Sequence, residues 1–157
     1  MNRNLPATTL AIAFLTVALH AQSVDPKREL EKARKQTLPA AARSIAENTD
    51  AKVLLEVDAK SFGNDAGAWS NLSIIANRIV GAFSEVGRDQ MGKDAIDHDI
   101  KRVVIAKLAT PTDDVVELKL QTLYVNTSAS DKAMTVLQNV IVSALEKSLQ
   151  TGHTVTP

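Results

Sequence analysis

The chain is expected to fold as an α+β domain, a two-layer sandwich with elements in the order α-β-α-β-β-α. A small three-stranded sheet would have one face covered by two amphipathic helices. Three observations predict this. Residues 52–58 and 115–125 alternate apolar and polar side chains, the period of a strand with one buried and one wet face. Residues 68–86 and 131–149 repeat their apolar side chains at intervals of three and four, the period of a helix lying on a core. Neither stripe is apolar all round, so sheet and helices must bury their faces against one another.

An export signal stands ahead of this domain. Asn2, Arg3 and Asn4 make a short polar start with one positive charge, and Leu10 to Leu19 is apolar except for Thr16. His20, Ala21, Gln22 and Ser23 then offer small or polar residues to a signal peptidase. The apolar block is too short for the roughly 20 residues that a helix needs to cross a bilayer. Residues 1–21 are expected to be removed, so that the mature chain starts at Gln22, or at Val24 if cleavage follows Ser23. No cysteine follows the block, which excludes a thiol-linked lipid anchor.

Residues 22–50 form a charged helical segment. Asp25-Pro26 is a good helix start, and Lys27 to Lys35 carries only Leu30 and Ala33 as an apolar line, with Glu31 and Lys35 spaced as an ion pair. Pro39 is expected to disrupt this helix, with a second from about Ala40 to Glu47 burying Ala42, Ile45 and Ala46. The single domain then spans 51–150. Lys52 to Asp58 is its first strand, with Val53, Leu55 and Val57 on one face. Ser61 to Gly67 reads as a turn-rich linker. Trp69, Leu72, Ile75, Ala76, Ile79, Val80 and Phe83 stripe the clearest helix, ended by Gly87. Arg88 to Asp99 reads as a polar loop. Ile100 to Leu108 and Val115 to Val125 read as two strands of a hairpin joined through Pro111 and the aspartates. In the second strand Val116, Leu118, Leu120 and Tyr124 are expected on one face. Ser128 and Asp131 suggest the start of a last helix, striped by Met134, Leu137, Val140, Ile141, Ala144, Leu145 and Leu149. Residues 151–157 are expected to form a flexible tail.

Composition narrows the function. The whole chain has 18 basic and 18 acidic residues, and removing residues 1–21 takes away only Arg3. So near-neutral a surface gives no field to steer nucleic acid or an anionic membrane. Phe62, Trp69, Phe83 and Tyr124 are the only aromatics left after cleavage, too few for a base-stacking platform. With no cysteine, the exported domain must be stable by packing alone. No second apolar run is long enough to span, so no membrane insertion is expected after signal cleavage.

The motifs assign no catalytic residue and no cofactor. Asp89, Asp94, Asp97, His98 and Asp99 form one suggestive cluster, since carboxylates and an imidazole suit a divalent cation. Asp94, Asp97, His98 and Asp99 are the weak metal candidates, but the spacing matches neither a calcium loop nor a zinc motif, and a solvated acidic loop is the preferred reading, with no metal expected. Glu56 and Asp58 read as a wet strand face, and Gly63 to Gly67 lacks the Lys of a phosphate loop. Trp69 and Phe62 read as core anchors, with a ligand platform as the rival. Gly81 suggests a close approach of its helix to the sheet. Asn71 and Asn126 fit the glycosylation sequon.

The expectation by exclusion is a non-catalytic exported accessory or interaction protein of the cell envelope or periplasm. The rivals are a small exported metal-dependent hydrolase centred near His98 and a carrier of a small apolar ligand. The partner is expected to be a protein or a second copy, bound through the sheet. Val53 to Val57 and Ile100 to Leu108 are the candidate free edges, and Leu54 and Leu123 are placed among Glu56, Lys119 and Gln121 on the outward face.

Overall fold

The computed structural model describes residues 25–110 and 114–152. Residues 1–24, where the export signal is expected, Pro111 to Asp113 and residues 153–157 of the expected tail lie outside the described residues. Asp25 accepts from Lys27 N–H at 3.0 Å and starts helix α1, Pro26–Lys32. The helix does not break at Pro39. A π-helical turn, Ala33–Thr37, carries it into α2, Leu38–Thr49. Pro39 has no N–H, and in an unbroken helix its ring would crowd the carbonyl four residues back. Widening the turn, so that Leu38 N–H reaches Ala33 O, accommodates the ring. Leu38, Ala41 and Ile45 are buried, and Ala42 and Ala46 are half-buried. Asp50, with φ of 62°, ends α2 in the left-handed region.

Strand β1, Leu54–Val57, follows at once, with Leu55 buried and Val57 half-buried on the inner face. The expected linker after it contains a single helical turn, α3, Ala59–Phe62, capped by Asp58. Helix α4, Ala66–Val86, buries Trp69, Leu72, Ile75, Ala76, Ile79 and Phe83 as its stripe requires. Asp65 caps it through Ala68 N–H at 3.0 Å and pairs with Lys107 at 2.9 Å. The lysine, together with the helix amide, holds the Asp65 carboxyl below its ordinary range.

Residues 88–99 are not a loop. Gln90–Asp99 is a helix, α5, capped by Asp89 through Gly92 N–H at 2.8 Å. It buries only Ala95 and Ile96, followed by Ile100, which is too thin a stripe to show in so charged a segment. Gly92 is required there, because a Cβ would fall 1.9 Å from Val86 O.

The sheet has four strands where three were expected. β2, Arg102–Lys107, is followed by β3, Val115–Lys119, and β4, Thr122–Thr127, in the spatial order β1-β2-β4-β3. The expected hairpin between residues 100–108 and 115–125 is absent: β2 pairs in parallel with β1 and with β4. The hairpin instead joins β3 to β4 through Leu120 and Gln121, with φ of 48° and 60°. Two left-handed central residues make a tight turn whose twist matches its strands, although Asn and Gly are its usual residues. Folding back here reverses the parity of the second half of the segment. Val116 and Leu118 therefore share the inner face with Leu123 and Val125, while Tyr124 points outward. Leu123 is fully buried, against the expectation of an outward position, and Leu120 is 99% exposed at the turn.

Helix α6, Asp131–Gly152, starts where Ser130 Oγ accepts from Ala133 N–H at 3.3 Å, two residues later than the expected Ser128 cap. It buries Leu137, Ile141 and Leu145. α4 packs beside α6 and α2 beside α4, so three helices, not two, form the covering layer. Gly81 serves the helix layer and not the sheet: a Cβ there would lie 2.6 Å from Gln138 Oε1 of α6. Among the described residues no helix is long and apolar enough to cross a membrane.

Two stability predictions follow from this packing. Ile75→Ala and Leu137→Ala should each cost about 2–4 kcal/mol in chemical unfolding, since both side chains are fully buried, and Lys32→Ala on the exposed side of α1 under about 0.5 kcal/mol. Leu120→Asn should stabilise by about 1 kcal/mol, because the residue is exposed and its φ of 48° disfavours a branched apolar side chain. A loss of stability at Leu120→Asn would contradict the assigned turn.

Candidate functional site

The residues singled out as metal candidates lie on α5 and face different neighbours. Asp89 is occupied as the helix cap. Asp94 accepts from Gln90 at 2.7 Å, and Asp97 pairs with Lys101 at 3.5 Å. His98 Nδ1 is hydrogen-bonded to Asp99 Oδ1 at 2.7 Å, and its side chain is 79% exposed. Asp94, Asp97 and His98 stand at helical spacings of three and four and so share one side of α5, but each is turned to a different partner, Gln90, Lys101 and Asp99. Among the described residues no three acidic or histidine groups are placed to share a metal ion. Trp69 is buried, donates from Nε1 to Gly63 O at 3.0 Å and stacks on Phe62 at 4.9 Å between centroids, which satisfies it within the core. Asn71 is half-buried in α4 and donates to Ala129 O at 2.9 Å, so it is committed to packing.

The open edge of β1 is the site that the fold leaves unfilled. β1 ends the sheet, and no described strand pairs with its far side. Leu54 donates to Lys101 O at 3.0 Å and Asp58 to Ile105 O at 2.8 Å. Along a strand the main-chain groups alternate in direction, so those of Val53, Leu55 and Val57 point away from β2 toward the open side. Of the two stretches expected as free edges, residues 53–57 hold that position, whereas 100–108 contain the paired β2 between β1 and β4.

A groove of about 580 Å³ follows this edge. Residues 53–58 form its strand side, and Arg34, Leu38, Pro39 and Ala42 form its helix side. The π turn brings Arg34 there. With Leu38 N–H committed to Ala33 O and Pro39 lacking an N–H, the Arg34 carbonyl has no helical donor. The Arg34 side chain is exposed and forms no ion pair among the described residues. The groove was not foreseen from the sequence; Pro39 inside a charged helical segment was its only trace.

Beside the groove lies the outer face of the sheet. Register aligns Leu54, Arg102, Thr122 and Lys119 in one row, and Glu56, Val104, Tyr124 and Glu117 in the next. Leu54 is 53% and Tyr124 38% exposed, with the Glu56–Arg102 pair at 3.5 Å between them. Apolar side chains set among paired charges are a surface for modest protein contact. Asp58, just after β1, caps α3 through Lys60 N–H at 3.1 Å, and Ser61 Oγ donates to the Asp58 carbonyl at 2.7 Å.

The α5 geometry predicts that added Ca²⁺, Zn²⁺ or Mn²⁺ will leave the melting temperature unchanged in both the wild-type chain and His98→Ala. A rise in the wild type that is lost in the variant would contradict the geometry. Scans against family models, curated proteins and solved structures find no match to this chain.

Proposed function

We propose that the protein is an exported, non-catalytic interaction protein of the cell envelope or periplasm that binds its partner through the sheet. The observation that carries this reading is the edge of β1, whose outward main-chain groups have no strand partner among the described residues and border an apolar groove. Natural sheets blunt their edges with short strands, charges, proline or bulges; β1 is short and carries Glu56, but residues 53–57 contain no proline or inward charge and their pairing with β2 has no bulge. An edge left in this condition is suited to accept an added strand, in which main-chain hydrogen bonds supply affinity and side-chain pockets supply specificity. The export signal at residues 1–21 supports the location, since it has the order of a charged start, apolar block and small-residue cleavage site.

A photo-cross-linking residue at position 54, in the full chain expressed with its signal, should give adducts in the extracytoplasmic fraction. The same probe at Asn139, exposed on α6, should give none. The recovered protein should begin at Gln22 or Val24. Adducts from position 139 alone would overturn the sheet as the binding surface, and an intact Met1 in that fraction would overturn export.

A further inference from the structure

We infer that the occupant of the β1 edge is the β1 strand of a second copy of this chain, antiparallel about a two-fold axis, so that two four-stranded sheets join into one. This rests on the reading of the edge as the binding surface and adds what fills it.

The argument is one of register and charge. Main-chain groups at 53, 55 and 57 point outward, so an antiparallel copy must set odd residues against odd residues. Three registers satisfy this near the centre of the strand. In the first, Leu55 faces Leu55 of the second copy and Val53 faces Val57. Lys52 then faces Asp58 at both ends of the pairing. Lys52 and Asp58 are both exposed, and Asp58 uses only Oδ1 in capping α3. Shifting the pairing toward the C-terminal end sets Glu56 against Glu56 of the second copy, which repels. Shifting it the other way sets Lys52 against Glu56, whose carboxylate is already held by Arg102 at 3.5 Å. The first register therefore brings together opposite charges that have no other ion-pair partner among the described residues.

The opposite edge of the sheet lacks this property. In β3 the centred register sets Glu117 against Glu117 of the second copy, which repels, and the register that sets Glu117 against Lys119 joins charges that already pair with each other within one chain. A closed two-fold contact also uses each edge once, which prevents the open-ended stacking that an undefended edge otherwise invites. The apolar groove gives the incoming Val53, Leu55 and Val57 an apolar flank beside Leu38, Pro39 and Ala42.

Sedimentation velocity on the mature protein tests the pairing. A concentration-dependent dimer is expected. Lys52→Asp and Asp58→Lys should each weaken it by at least about tenfold, and the double variant should restore it by exchanging the charges. Asp58→Lys also removes a cap, so Lys52→Asp is the cleaner single change. Register is read separately. The chain has no cysteine of its own, so Leu54→Cys mixed with Glu56→Cys should form a disulfide between copies, because facing residues of that kind stand about 4.5 Å apart at Cα. Neither variant alone should do so. A monomer at every concentration, a dimer insensitive to the charge changes, or Leu54→Cys linking to itself would overturn the inference. A monomer that still cross-links another protein from position 54 overturns self-pairing and leaves the edge reading standing; a dimer cross-linked only through α6 overturns both.

Discussion

One-sided burial of the sheet is the constraint on which the rest of the structure depends. Val103, Ile105, Leu123 and Val125 of the two central strands are fully buried, and Leu55 of β1 nearly so. All belong to one core with Ile75, Ile79 and Phe83 of α4 and Leu137, Ile141 and Leu145 of α6. Strand side chains alternate, so a slip of one residue in any strand would carry its buried set into water. That cost holds the register. The register in turn decides everything outside the core: which residues form the wet face, and which main-chain groups of β1 are left facing outward.

The same constraint explains what the sequence showed and what it hid. Helix α4 was legible because its stripe is long and its apolar side chains have nowhere else to go. Strand β1 was legible because Val53, Leu55 and Val57 alternate with polar residues apart from Leu54. Helix α5 was hidden because two buried side chains, Ala95 and Ile96, suffice to seat it once Asp89 has capped it. The β3–β4 turn was hidden because Leu120 and Gln121 have none of the usual turn chemistry and occupy left-handed backbone against their own preference. Reading across that turn as one strand placed Leu123 and Tyr124 on the wrong faces and reduced four strands to three.

The candidate site was legible in part. That a free edge would lie at residues 53–57 followed from strand pattern alone, but its rival at 100–108 could be removed only by the parallel pairing of β2 with both neighbours. Parallel pairing is set by contacts distant in sequence and leaves no local signature. The groove is less visible still, since it depends on α1 running through a π turn into α2, past Pro39, so that α2 lies along β1. The acidic residues that drew attention by their type are each held by a separate partner along α5, Asp94 by Gln90, Asp97 by Lys101 and Asp99 by His98. The residues of the edge have ordinary side chains and are distinguished only by unpaired main chain.

That the edge is open in the single molecule is the central claim, and amide hydrogen exchange measures it most directly. In dilute mature protein the N–H groups of Leu55 and Val57 should exchange at least about a hundredfold faster than those of Val104 and Tyr124 in the central strands, since only the latter are enclosed in the ladder. Equal protection at all four positions under conditions where the protein is a monomer would show that β1 is already covered, and would contradict the account.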